Sequence, residues 1–271
     1  MSTNNKLRVI LLGKKSWSAK ALKYLNDNGH DVVAVVGRNP NEELDAKKGS
    51  LIELAKEYGI LTPNPEDLYD WIQKPDNSPI NLNNIDLVIS YLFWKKIKPP
   101  LLSLPKIGAI NFHPAPLPDY KGLGGYNAAI LDQRKDYGVT AHFMNEKIDE
   151  GTIINKKMFN IDKENETAFS LELKSQVVMF KLFKEVIDNA TNPDYLLKKT
   201  NTDTNNQGIY INKKMFEEMK IIHHTDSKEE IDRKIRAFWF PPYEGAKLKI
   251  GNEFYTLLNN NVLSDVAKVL H

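Results

Sequence analysis

The chain has 271 residues, 41% of them hydrophobic, enough for a buried core and too apolar for intrinsic disorder. Its 37 Lys and Arg stand against 35 Asp and Glu, so the formal charge is only +2, without the basic excess of a domain built to grip a polyanion. With no cysteine, disulfides and thiolate metal sites are excluded, and the six histidines show no ligand spacing.

The amino terminus, MSTNNKLRVILLG, starts polar and carries a short apolar run, too short for a secretory signal. It reads as a first buried strand, Leu7 to Leu12, closed by Gly13. A helical pattern follows with Trp17, Ala21 and Leu25 four apart, then a second buried strand from Val32 to Val36. Continuous apolar strands in a β-α-β order predict a mostly parallel sheet covered on both faces. Residues 51–58 read as a helix, Ile85–Ser90 and Gly108–His113 as further strands, and 125–133 as a short helix. Val139–Met144 and Thr152–Phe159 read as strands flanking a turn at Asp149-Glu150-Gly151.

From 166 to 188 the positions Phe169, Leu173, Val177, Phe180, Phe183 and Ile187 follow helical spacing, and this stripe is predicted to be core. The Asn- and Thr-rich stretch 191–206 reads as a linker, dividing a main domain, 1–190, from a small carboxy-terminal region, 207–271. That region opens on the strand-like QGIYI. A helix follows whose Ser227 and Glu230 have capping-box spacing and whose buried face is Ile231, Ile235 and Phe238. Short strands and hairpins complete it. No segment has the ~18 apolar residues of a membrane span, so a soluble, cytoplasmic protein is expected.

A β-α-β opening invites a dinucleotide reading, which needs glycines where a pyrophosphate can approach a helix amino terminus. Here the turn is Gly13-Lys14-Lys15-Ser16-Trp17-Ser18, with one glycine and a bulky tryptophan, and the fingerprint is absent.

The chemistry-bearing segment begins at Ala109. Side chains alternate along a strand, so Asn111 and His113 share a face while Phe112 points away. Pro114, Pro116 and Pro118 end the strand and hold the exit extended. Asn111 and His113 thus sit on a rigid support at a strand end, where open α/β sheets place reactive groups. Alone, such a histidine is more often structural than catalytic, and Asp149 alone is ordinary turn chemistry.

Together they carry more. The segment AINFHPAPLPDYKGLGGYNAAIL at 109–131, followed by IDEGTII at 148–154, resembles the folate-dependent formyltransferases. The signature of that family is an Asn-x-His pair before a proline-rich turn, then an Asp in a D-x-G turn. The match falls on Asn111, His113 and Asp149. It implies a Rossmann-like formyltransferase catalytic domain over 1–190 and N10-formyltetrahydrofolate as formyl donor, with no metal. By the same resemblance Tyr91, Leu92, Phe93, Ile148 and Glu150 bind the pterin.

The variant HPAPLP-x-Y-x-G-x-G-G-Y-N is closest to the sugar N-formyltransferases, and IDRKIRAFWFPPYEGA at 231–246 is similar to the segment by which they hold their nucleotide. The resemblance implies a nucleotide-linked amino sugar as acceptor, best guessed as dTDP-4-amino-4,6-dideoxyglucose, a role in surface-polysaccharide (O-antigen) synthesis, and a homodimer. Trp239, Phe240 and Tyr243 offer faces for base stacking. Arg236 and Lys95 are candidates for the pyrophosphate, and the glycine-rich backbone around Gly124 and Tyr126 for closing on the sugar. A methionyl-tRNA formyltransferase would call for a larger, basic carboxy-terminal domain. A glycinamide-ribonucleotide enzyme would leave the segment 231–246 unexplained, and a formate-releasing hydrolase would need a water site and no nucleotide platform. A non-catalytic folate- or nucleotide-binding protein would have no chemical reason to keep Asn111, His113 and Asp149 together.

Overall fold

The computed structural model describes residues 6–42, 49–197 and 208–263. In chain order the elements begin β1 (Arg8–Gly13), α1 (Lys15–Asp27), β2 (Asp31–Val36), α2 (Leu51–Glu57), α3 (Pro65–Gln73), β3 (Leu87–Tyr91) and β4 (Gly108–His113). They continue with β5 (Lys121–Gly122), α4 (Gly125–Leu131), β6 (Asp136–Phe143), β7 (Ile153–Asn160), α5 (Ala168–Asp188) and α6 (Pro193–Leu197). The last are β8 (Tyr210–Ile211), α7 (Lys213–Met219), β9 (Ile221–Ile222), α8 (Lys228–Phe238), β10 (Lys247–Ile250) and β11 (Glu253–Thr256).

The chain forms two compact units. One takes the described part of 1–113, 139–157 and the described part of 178–205; the other takes 114–138, 158–177 and the described part of 206–271. This division cuts across the sequence boundaries at 190 and 207, because β6, β7 and α5 each contribute residues to both units.

The first unit is built on a six-stranded sheet in the order β2-β1-β3-β4-β6-β7. Strands β1 to β4 pair in parallel and β6 runs antiparallel to β4. Every residue of β3 is buried, as expected of a strand covered on both faces. In-register pairing lines up Leu12, Ser90, Asn111 and His142 on one face, and Gly13, Tyr91, Phe112 and Ala141 on the other. On the second face Phe183 packs edge-on to Tyr91 and Phe112, with ring centroids 5.6 and 5.1 Å apart. The first face carries a core that includes Ile10, Val36, Leu68, Ile97 and Ala109.

The second unit gathers Tyr120, Tyr137, Leu171, Ile235, Phe238 and Trp239 around its own core. Helix α8 starts on the predicted capping box: the Ser227 side chain accepts from the Glu230 amide while the Glu230 carboxylate accepts from the Ser227 amide. Beyond it, β9, β10 and β11 form a three-stranded sheet.

Some expectations fail. On α5 Phe183 and Ile187 are buried as expected, but Leu173 and Val177 are exposed, and the buried positions include Leu171, Ser175, Gln176, Met179, Leu182 and Val186. The true face runs through a serine, which hides it from an apolar count. Helices α3 and α7 have no counterpart in the sequence pattern; each starts on an asparagine cap, Asn64 and Asn212, accepting from the amide three residues on. Within the expected linker Pro193–Leu197 is helical, and 198–206 lies outside the described residues.

Candidate active site

Strand β4 presents Asn111, half-buried, and His113, 8% exposed, on one face at its carboxyl end. Asp149 reaches the same place from the turn between β6 and β7. Its φ of 56° is a left-handed conformation that aspartate adopts more readily than most residues and that concentrates at functional turns. Two residues on, Gly151 packs so tightly that a Cβ there would lie 1.6 Å from the Phe143 carbonyl oxygen. Only a glycine lets the turn close down on the end of β6.

The result is a compact polar cluster within the first unit. Asp149 Oδ1 lies 3.5 Å from His113 Nδ1 and 3.6 Å from His142 Nε2, and all three side chains are at least nine-tenths buried. His142 belongs to the cluster although no sequence motif marks it. It is the β6 partner of Asn111, and its Nε2 lies 3.1 Å from Asn111 Nδ2. Its Nδ1–H donates to the Phe143 carbonyl at 2.8 Å. With the Asn111 amide nitrogen facing it, Nε2 is the acceptor of that contact and Nδ1 the nitrogen that carries the proton. That fixes the Asn111 carboxamide and leaves its second N–H to point elsewhere.

The stretch after β3 divides in two. Tyr91 is fully buried on the opposite face from Asn111, between Phe112 and Phe183, and burial pushes its hydroxyl pKa far up. Its side chain is core, so only its backbone is left to face a cofactor. Leu92 holds a φ of 62°, a strained turn for a leucine. The Phe93 side chain lines a cleft of about 500 Å³ together with Leu12, Leu68, Tyr69, Ile97 and Lys95. Lys95, expected at a pyrophosphate, therefore shares a cleft with Phe93, and its ammonium pairs with Glu66 at 3.0 Å, holding that carboxyl below its ordinary pKa. On the Asp149 turn Ile148 is 43% exposed, and the Glu150 carbonyl accepts from Asn145.

The family model described as "Formyl transferase" matches residues 5–187, and so contains the whole cluster. The chain belongs to that family. It is 30% identical over 257 residues to the methionyl-tRNA formyltransferase of Ehrlichia canis, covering 90% of this chain and 79% of that one. Among solved structures it is similar to WlaRD, described as a sugar 3N-formyltransferase in the presence of dTDP and 5-N-formyl-THF. That match has a TM-score of 0.71 at 25% identity and covers 94% of this chain and 88% of that one. It shares the fold of the N-formyltransferase from Helicobacter canadensis, solved with folinic acid and dTDP-3-aminofucose, with a TM-score of 0.70 at 24% identity, covering 91% and 85%.

The remaining expected residues of this formyltransferase lie in its second unit. Gly124 caps α4 with a φ of 68°, and a Cβ there would come within 2.4 Å of the Phe216 ring. Tyr126 packs against Tyr137 with centroids 5.7 Å apart. Arg236 is half-buried and donates through Nη1 to the Glu166 carbonyl at 2.8 Å, and burial pushes its pKa down. Trp239 is only 8% exposed and sits in the core, so the open stacking face expected of it is not there. Phe240 and Tyr243 pack on one another with centroids 5.7 Å apart, and Tyr243 is 59% exposed. They are the aromatic pair that this segment presents.

Proposed function

We propose that this formyltransferase acts on the amine of a nucleotide-linked amino sugar, with N10-formyltetrahydrofolate as formyl donor. The observation that carries the chemistry is the Asn111–His113–Asp149 cluster, completed by His142. It pairs a fixed amide donor with an imidazole and a buried carboxylate, on the same sheet face as a cleft whose Leu12, Leu68, Phe93 and Ile97 offer a flat heteroaromatic an apolar wall. The donor supplies the formyl group and is a co-substrate. The backbone of Tyr91, with Leu92, Phe93 and the Ile148–Glu150 turn, is proposed to hold its pterin.

In the proposed reaction the acceptor nitrogen forms a bond to the formyl carbon while the bond from that carbon to N10 breaks. The amine gives up one proton and N10 gains one, so nothing is oxidised or reduced. Negative charge grows on the formyl oxygen during transfer. The free Asn111 N–H and a protonated His113 donate to it, a contribution of ~3 kcal/mol per well-placed donor. Asp149 keeps the His113 imidazole oriented and stabilises its charge as protons move, and a positioned acid or base of this kind adds ~10²–10⁴ in rate.

The sugar acceptor is supported by the sequence variant at 114–127, by the Phe240–Tyr243 pair as a stacking surface, and by solved relatives described with dTDP or a dTDP-amino sugar. We read residues 207–271 as the nucleotide-binding and dimerisation region of a cytoplasmic homodimer serving surface-polysaccharide synthesis. The 4-amino sugar is our first candidate, and the 3-amino sugars named for the two relatives are the second. The Ehrlichia relative favours a different acceptor, initiator methionyl-tRNA. A turnover assay with N10-formyltetrahydrofolate and a panel of dTDP-linked 3- and 4-amino sugars, read by mass spectrometry, tests the choice. Formylation of one sugar, lost in His113→Asn, is expected. Formylation of methionyl-tRNA with none of any sugar would overturn the sugar assignment.

A further inference from the structure

We infer that Asn127 is a positioning residue for the acceptor: its side chain ties the glycine-rich turn at 122–125 to the end of α8 and so sets where the Phe240–Tyr243 pair stands. The inference rests on the reading of that pair as the nucleotide's stacking surface, and adds the residue that holds it in place.

The need for such a residue arises in the sequence. Helix α8 ends at Phe238, and the last carbonyls of a helix have no partner within it. In a longer helix the Ala237 carbonyl would accept from the amide four residues on, but that residue is Pro241, which has no N–H. Ala237 is fully buried, so bulk water does not reach it, and an unpaired carbonyl there would be costly. Asn127 supplies the missing donor from α4. Its Nδ2 donates to the Ala237 carbonyl at 2.6 Å, and the residue is only 8% exposed.

Both ends of this contact belong to stretches proposed for the acceptor. On one side Asn127 Oδ1 lies over Gly124, 3.4 Å from where a Cβ would stand. The Phe216 ring that closes on the same glycine packs edge-on to Phe238, with centroids 5.6 Å apart. On the other side Ala237 stands three residues before Phe240. Between them the Trp239 carbonyl accepts from the Phe169 amide at 3.1 Å, and the Phe169 ring meets Phe240 edge-on at 5.9 Å. The exit of α8 is therefore held at two carbonyls, one by the backbone of α5 and one by a side chain that substitution can remove. With Asn127 gone the Ala237 carbonyl must turn to find another donor, and the segment carrying Phe240 turns with it. All of these residues lie in the second unit, whereas those proposed for the formyl donor lie in the first.

The test is a double-mutant cycle of Asn127→Ala and Tyr243→Ala, read by calorimetric binding of dTDP and of 5-formyltetrahydrofolate and by steady-state formylation of the best amino-sugar nucleotide. We expect Asn127→Ala to weaken dTDP about tenfold, as a base loses its stacking partner, and to raise KM for the sugar nucleotide alongside. The turnover number should stay within about threefold of wild type and folate affinity within about twofold, because the contact serves binding and not the reacting charge. In the Tyr243→Ala background the same change should cost no more than about threefold further in dTDP affinity, since the two residues act through one surface. A loss there as large as in the wild type, a fall in turnover with KM unchanged, or an equal loss of folate affinity would overturn the positioning role. If Tyr243→Ala weakens dTDP and Asn127→Ala does not, the aromatic pair stands and Asn127 has no part in placing it. If Tyr243→Ala leaves dTDP affinity unchanged, the stacking reading itself falls and this inference with it. Should the alanine variant not fold, Asn127→Ser, which keeps a hydroxyl donor, takes its place in the cycle with the same outcomes. Failure of both to fold would make the contact a support of the fold alone and overturn the inference.

Discussion

Replacing Asp149 by asparagine tests the cluster most directly, because it removes a charge while keeping the size and most of the hydrogen bonding of the side chain. The carboxylate lies 3.5 Å from His113 Nδ1, with 8% of the Asp149 side chain exposed. Two unit charges at that distance attract by about 5 kcal/mol at an effective dielectric constant near 20. Asparagine retains a dipole, so the loss on the imidazolium side of the reaction should be a part of this, about 3–4 kcal/mol. At 1.36 kcal/mol per decade the turnover number should fall roughly 10²–10³-fold. The assay is steady-state formylation of the best amino-sugar nucleotide, with thermal unfolding measured in parallel. We expect KM for the sugar nucleotide to change by less than about threefold, since the contact acts on the reacting charge rather than on bound substrate. A variant that folds normally and keeps a turnover number within fivefold of wild type would show that the carboxylate has no part in the proton transfer.

Gly151→Ala should lower stability by about 1–3 kcal/mol, since a Cβ would collide with the Phe143 carbonyl, and melting should reveal it as a drop of several degrees. Turnover should fall with it as the Asp149 turn moves off His113, and normal turnover would contradict the tight turn. Tyr243→Ala should weaken dTDP binding by ~1–3 kcal/mol through lost stacking, with little effect on melting, whereas Trp239→Ala should chiefly destabilise the fold. Calorimetry and melting on the two variants separate platform from core, and a reversed pattern would undo the assignment. His30 is 9% exposed, its Nδ1 accepts from the Leu7 amide at 3.2 Å, and burial pushes its pKa below 6.5. Its contribution is therefore intact above pH 6.5 and is lost as the pH falls from there towards the lowered folded value. Melting temperature should decline over that window less steeply in His30→Gln than in wild type, and equal slopes would exclude His30 as a source.

The parallel strands are legible in the sequence because a strand buried on both faces is an unbroken apolar run, as in Leu87–Tyr91. Helix α8 is legible because Ser227 and Glu230 announce a helix start by local chemistry. Burial on α5 is harder to read: Ser175 and Gln176 are buried, and Leu173 and Val177 exposed, so the covered face follows its neighbours and not its own polarity. The burial of the Tyr91 and Trp239 side chains is hard to read for a related reason. An aromatic beside a site motif can face either way, and a residue count does not say which core is waiting for it. His142 escapes the sequence because its importance is a matter of register. It is placed opposite Asn111 by the antiparallel pairing of β6 with β4, a contact 31 residues apart that no local spacing encodes.

That register also bears on which experiment addresses which question. Asn111, His113, His142 and Asp149 all lie in the first unit and within the residues matched by the family model. On the proposed mechanism Asn111, His113 and Asp149 serve the formyl carbon and the attacking nitrogen while His142 holds Asn111, and none of the contacts described among them involves what carries that nitrogen. Substitutions in the cluster should therefore lower turnover to the same extent whether the amine belongs to a 3-amino sugar, a 4-amino sugar or methionyl-tRNA. Discrimination among acceptors has to come from differential binding elsewhere, since selectivity is a difference of affinities. On the present reading it resides in Phe240 and Tyr243, whose removal should alter the ratio of kcat/KM between acceptors without changing the pH dependence set by the cluster.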